Sequence, residues 1–185
     1  MLFHPCTLPG LIRIEPERRT DERGSFARTF CATEFSRNAL NTVWPQANAV
    51  QTLKRGTLRG LHWQEEPHPE IKLIRCTRGR VWDVIVDVRP ESPTFGCWEA
   101  FDLTPENGTQ LYVPAGFAHG FQCLTDDVEM AYLMSDFYVP DLARGIRWED
   151  PRLAIPWPVA NPILSARDRE LPTLAEEFPG DTGTA

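Results

Sequence analysis

Two adjoining runs constrain this chain more than anything else in it. Lys72-Leu-Ile-Arg-Cys-Thr77 leads into an Arg78-Gly79 turn, and Arg80-Val-Trp-Asp-Val-Ile-Val-Asp-Val88 follows. In the second run Trp82, Val84, Val86 and Val88 share one face, while Val81, Asp83, Ile85 and Asp87 share the other. That is the period-two alternation of a β-strand. Further strands are predicted at Trp98–Leu103, Thr109–Val113, His119–Cys123 and Val128–Leu133, separated by Pro, Gly, Asn and Asp turns. Helix signal is scarce, with two turns predicted over Ala32–Leu40. Seventeen prolines in 185 residues suit a fold of many short strands and turns. The expectation is therefore all-β, in one domain over residues 1–185, with a few short peripheral helices. From about residue 173 the tail is polar and short of large apolar residues, and is expected to dock loosely or fray.

The net charge of −7 argues against broad binding to nucleic acid or to an anionic membrane surface. Positive charges for any anionic substrate must then be gathered locally. No apolar run approaches the roughly 18–20 residues that span a bilayer, and Met1 to Gly10 lacks the basic and apolar regions of a signal peptide. Five scattered cysteines without a C-x-x-C pair suit free thiols in a reducing compartment. The cytoplasm is the expected location.

Two motifs narrow the class to a cupin-type jelly-roll barrel, the double-stranded β-helix. Gly108-x5-Pro114-x-Gly116-x2-His119 resembles the second cupin motif, in which a Pro-Gly turn delivers a histidine to the barrel mouth. Gly60-Leu-His62-Trp-Gln64, with Glu70 and Gly79 downstream, resembles the first, except that His-x-His has become His62-x-Gln64. A cupin metal site needs about three imidazoles and a carboxylate. Only four histidines are present, and His4 and His68 fall in segments that read as loops, so no metal is expected. Arg59 and Lys72 flank His62. Together a His, a Lys and an Arg in a sheltered barrel can deprotonate a carbon, stabilise an enolate oxygen and hold a phosphate.

Over nearly its whole length the chain resembles the dTDP-4-dehydrorhamnose 3,5-epimerase family. The resemblance is carried by Asp21-Glu-Arg-Gly-Ser-Phe26, Gly56-Thr-Leu-Arg-Gly-Leu-His62-Trp-Gln64, Lys72-Leu-Ile-Arg, Asp83-Val-Ile-Val-Asp-Val-Arg89, Ser92-Pro-Thr-Phe-Gly96, Tyr112-Val-Pro-Ala-Gly-Phe-Ala-His-Gly-Phe121, Tyr132 with Tyr138, Gly145-Ile-Arg-Trp148, Asp150-Pro151 and Leu164-Ser-Ala-Arg-Asp168. It implies a homodimeric cupin without cofactor that inverts carbons 3 and 5 beside a C4 ketone. The implied reaction takes dTDP-4-dehydro-6-deoxy-D-glucose to dTDP-4-dehydro-L-rhamnose.

The family pattern makes His62 the base and Asp168 its orienting partner. Lys72 would meet the ketone oxygen, and Tyr132 would return a proton from the opposite face. Arg23, Arg59 and Arg167 fit the pyrophosphate contacts, and Tyr138 fits the aromatic that stacks on the nucleotide base. Gln46 and Asn48 fit polar contacts to the nucleotide, and Phe26 and His119 complete the substrate-binding set. Independently of the family pattern, Asp83 is expected to face the barrel interior and orient His119. Two positions depart from the pattern: Arg28 and Ala143 stand where the family carries acidic residues. The catalytic set is intact, so the residues support the chemistry further than the substrate. A mono-epimerase of C3 or C5, or one using a CDP- or GDP-linked sugar, keeps the same set. A nucleotide-sugar-binding cupin without activity would have no reason to keep it together.

Overall fold

The structure is a computed structural model that describes residues 1–180. Thirteen strands run in chain order as β1 (Leu2–Pro5), β2 (Ile12–Glu15), β3 (Arg18–Asp21), β4 (Gly24–Ala27), β5 (Gln46–Thr52), β6 (Leu58–Gln64), β7 (Lys72–Arg78), β8 (Val81–Asp87), β9 (Trp98–Leu103), β10 (Gln110–Val113), β11 (Phe117–Cys123), β12 (Val128–Met134) and β13 (Ala143–Gly145). Three short helices accompany them: α1 (Ala32–Arg37), α2 (Ala166–Arg169) and α3 (Leu174–Glu177). One sheet has the order β1-β2-β10-β7-β12-β5 and the other β13-β6-β11-β8-β9, while β3 and β4 form a separate hairpin. Every pairing between these strands is antiparallel.

The alternation read in residues 81–88 sorts the core. Val81 and Ile85 join Ile74, Leu111, Phe117, Phe121 and Met130 in a cluster contributed by both sheets. From the other face of β8, Val84 and Val86 pack with Leu61, Trp63, Ile146, Leu153 and Leu174. The second cluster is thus a strap of residues 146–178 laid over the outside of the five-stranded sheet. Outside the six-stranded sheet, Phe35 of α1 packs with Ile14, Leu73 and Tyr112. Where β6 pairs with β11, two glycines allow close approach. A Cβ on Gly60, whose φ is +122°, would sit 2.5 Å from the Gly120 Cα, and one on Gly120 would sit 2.8 Å from the Arg59 carbonyl.

Three expectations are corrected. α1 ends at Arg37 rather than Leu40, because Ala39 takes a left-handed φ of +56°. His4 lies in strand β1, paired opposite Arg13, although His68 does lie in a bend. The tail does not fray as far as residue 180. Thr173 and Glu176 close a capping box on α3, Leu174 is 1% exposed, and Phe178 stacks on Trp63 at 5.9 Å. Residues 181–185 lie outside those described.

Asp150, itself buried, ties the strap together. Its Oδ1 accepts from the backbone N–H groups of Arg152 and Leu153, and its Oδ2 from that of Leu174. Asp150→Ala leaves these donors without their acceptor and should lower the unfolding free energy by about 2–4 kcal/mol in urea titrations. Asp150→Asn, which keeps an acceptor, should lose less. A loss under about 0.5 kcal/mol for Asp150→Ala, the range of an ordinary surface change, would contradict this role.

Candidate active site

Between the two sheets opens a cavity of about 410 Å³. From β5 come Gln46, Asn48 and Val50, from β6 Arg59 and His62, from β11 His119 and Phe121, and from β12 Tyr132 and Met134. Glu70 and Lys72 enter at the start of β7, with Tyr138 from the loop after β12 and Ser165, Arg167 and Asp168 from the start of α2. Ten of the twelve residues expected at the site therefore share one space. Arg23 and Phe26 do not. Both belong to the β3–β4 hairpin, where Arg23 pairs with Asp21 and Phe26 is 67% exposed.

The His62 Nε2 lies 2.7 Å from Asp168 Oδ1, joining β6 to the strap. An ionised carboxylate can only accept, so Nε2 carries a proton, and whenever the imidazole is neutral it is Nδ1 that holds the free lone pair. Burial works to raise the Asp168 carboxyl. The hydrogen bond from His62, its charge and the Ser165 hydroxyl outweigh this and hold the group below its ordinary value. Ser165 also fixes the local backbone, as the α2 N-cap accepting from the Asp168 N–H.

A second pair lies deeper. His119 Nε2 is 2.8 Å from Asp83 Oδ2, with both residues buried and Asp83 Oδ1 lacking a hydrogen-bond partner. Burial raises the Asp83 carboxyl, against the opposing pull of His119. The expected contact between Asp83 and His119 is thus present. His119 is the register partner of His62 across β11 and β6, and its ring meets Tyr132 edge-on at 5.9 Å. Burial, then the Asp83 carboxylate, push the Tyr132 phenol well above its ordinary value, which keeps it a neutral donor at ordinary pH. His62 projects from the five-stranded sheet and Tyr132 from the six-stranded one, so imidazole and phenol stand on opposite walls.

Lys72, 7% exposed, contacts Glu70 and the backbone oxygen of His62. Arg59 donates to Thr52, Arg167 to the carbonyl of Ala143, and the Gln46 side chain accepts from the Tyr138 N–H. Of the two departures, Ala143 therefore lies beside Arg167. Arg28 pairs with Glu34 and is not among the cavity residues. Gln64 is 3% exposed and spends its amide on backbone: Nε2 donates to the carbonyls of His68 and Phe137, and Oε1 accepts from the Val139 N–H. It clasps the loop that carries Tyr138. Among the described residues no group of three or more His, Cys, Asp or Glu is arranged to hold a metal. Sequence reasoning missed the contacts of Glu70 and Gln64. It also missed Ser165, although Ser-x-x-Asp before α2 is a capping signal.

The sequence profile of dTDP-4-dehydrorhamnose 3,5-epimerase matches residues 5–176. The chain belongs to this family. It is an epimerase, and its barrel is the family's cupin-like jelly roll. The dTDP-4-dehydrorhamnose 3,5-epimerase of Sinorhizobium fredii is 41% identical over 95% of this chain and 91% of its own length. The dTDP-4-dehydrorhamnose 3-epimerase of Streptomyces niveus is 37% identical over 95% and 85%. A solved dTDP-4-dehydrorhamnose 3,5-epimerase from Bacillus anthracis, with TDP and pyrophosphate bound, superposes with a TM-score of 0.91 at 38% identity, over 93% of this chain and 98% of that one.

The lowered Asp168 carboxyl has a pH consequence. A group whose folded pKa is depressed stabilises the fold above its unfolded value and loses that contribution as pH falls through the folded one. The stability gap between wild type and Asp168→Asn should therefore be full near neutrality and shrink below about pH 3.9. Denaturant titrations across pH measure it. A gap that is constant through the acid range would show that the carboxylate charge is not what His62 and Ser165 hold.

Proposed function

We propose that the chain inverts C3 and C5 of dTDP-4-dehydro-6-deoxy-D-glucose to give dTDP-4-dehydro-L-rhamnose, with no cofactor or metal. The observation that carries this reading is the Asp168-oriented His62 facing the half-buried Tyr132 phenol across one cavity, with Lys72 in the same wall as the phenol. Both carbons are α to the C4 ketone, so loss of either proton gives an enolate whose charge falls on the ketone oxygen. The free Nδ1 of His62 takes the proton, and Lys72 meets the oxygen as charge develops. Tyr132 then donates to the opposite face of the carbon, which inverts it. Solvent restores the Tyr132 proton and removes the one on His62.

Arg59 and Arg167 suit a pyrophosphate, since a guanidinium binds phosphate through paired hydrogen bonds. Gln46, Asn48 and Tyr138 suit the nucleoside, and His119 the sugar. A homodimer belongs to the same proposal. Arg23 and the exposed Phe26 lie outside their own cavity, and a second copy gives them one to reach. A cytoplasmic location is also proposed, supported by five cysteines all free of disulfides. The Streptomyces niveus relative, named as a 3-epimerase, supports a second reading in which C3 alone is inverted.

Proton NMR of the product after incubation with the dTDP-linked 4-keto sugar separates these readings by the configuration at each carbon. His62→Ala should abolish turnover. Asp168→Asn should fold but lose about 10²-fold or more in rate, because the wrong tautomer is then favoured. Chelators should leave the wild type unaffected. Near-normal Asp168→Asn, or activity lost to a chelator and restored by one metal, would contradict the proposal.

A further inference from the structure

The ammonium of Lys72 is held in place by the protein itself. Its Nζ lies 2.9 Å from Glu70 Oε1 and donates to the His62 backbone oxygen at 3.3 Å. The two side chains are only 9% and 10% exposed, and both line the cavity. An ammonium has three N–H donors. These two contacts occupy two of them and leave one. Desolvating such a pair costs about as much as the attraction returns, so stability is a weak reason for its presence.

We propose that Glu70 is a positioning residue for the epimerisation: it fixes the Lys72 ammonium so that its remaining proton meets the ketone oxygen of the substrate. This rests on the reading of Lys72 as the donor to the ketone. Charge on that oxygen grows between ground state and enolate, and a donor already in position need not reorganise as it does so. The position and the charge of Glu70 act in opposite senses. Its position holds the donor, whereas its negative charge offsets part of the field that the enolate would feel. The first effect dominates, because a misplaced donor loses contact with the oxygen altogether.

Two variants separate these effects. Glu70→Gln keeps an acceptor oxygen at the same reach and removes the charge. Glu70→Asp keeps the charge and withdraws the carboxylate by one methylene. In steady-state kinetics Glu70→Asp should lose about tenfold in kcat with KM changed less than about threefold, while Glu70→Gln recovers most of that rate. In a Lys72→Ala background the loss from Glu70→Asp should vanish, since there is no ammonium left to position. The proposal is overturned if Gln loses more than Asp, if neither variant loses rate, if only KM moves, or if the loss persists without Lys72. Wild-type turnover in the same series tests the parent reading by itself, and a wild type without turnover overturns both.

Discussion

Successive residues of an antiparallel strand point to opposite faces, and two facing sheets turn that alternation into an interior and two outer layers. Most functional side chains on strands here obey that constraint; Arg59 and His62 of β6, three residues apart, share the cavity because the register between β6 and β11 shifts between them. On β8, Asp83 follows Val81 inward and precedes Ile85, while Val84 and Val86 meet the strap outside. On β5, Asn48 and Val50 line the cavity, whereas Ala47 and Ala49 line only a neighbouring groove with Leu73, Ala131 and Leu133. Phe121 and Tyr132 serve both the apolar core and the cavity wall, with Val50 beside them. The Tyr132 wall of the cavity is therefore anchored in the apolar core.

Such a site must solve a desolvation problem, since a buried charge without a partner is costly. Asp168 has His62 and Ser165, Asp83 has His119, and Lys72 has Glu70. Each partnership also orients the group that faces the cavity. The strap matters for this reason. It covers the outer face of the five-stranded sheet with Trp157, Leu174 and Phe178, and the same segment brings Asp168 to His62.

Much of this was legible in the sequence wherever side-chain chemistry and strand period agreed. The strands around residues 72–88 and 98–134 lie within about two residues of the expected bounds. β5 and β6 are strands that the sequence reading did not predict, since Asn and Gly are depleted in strands. There the cavity's polar lining and the close approach of Gly60 to Gly120 override propensity. The tail was misread because its polarity outweighed Thr173-x-x-Glu176, a capping box plainly present in the chain. Arg23 and Phe26 carry the family's pattern in sequence, yet no local pattern says that the β3–β4 hairpin lies away from the cavity of its own chain. The Glu70–Lys72 contact also escaped sequence reading, since strand alternation does not extend into the loop before β7.

The central claim is that His62 and Tyr132 work on opposite faces of the same carbon. The most direct test is deuterium exchange by Tyr132→Phe, followed by NMR in D2O on the dTDP-linked 4-keto sugar. With the base intact and the opposing donor removed, the account predicts deuterium at the α-carbons with their original configuration retained. Inverted product at the wild-type rate from that variant would contradict it.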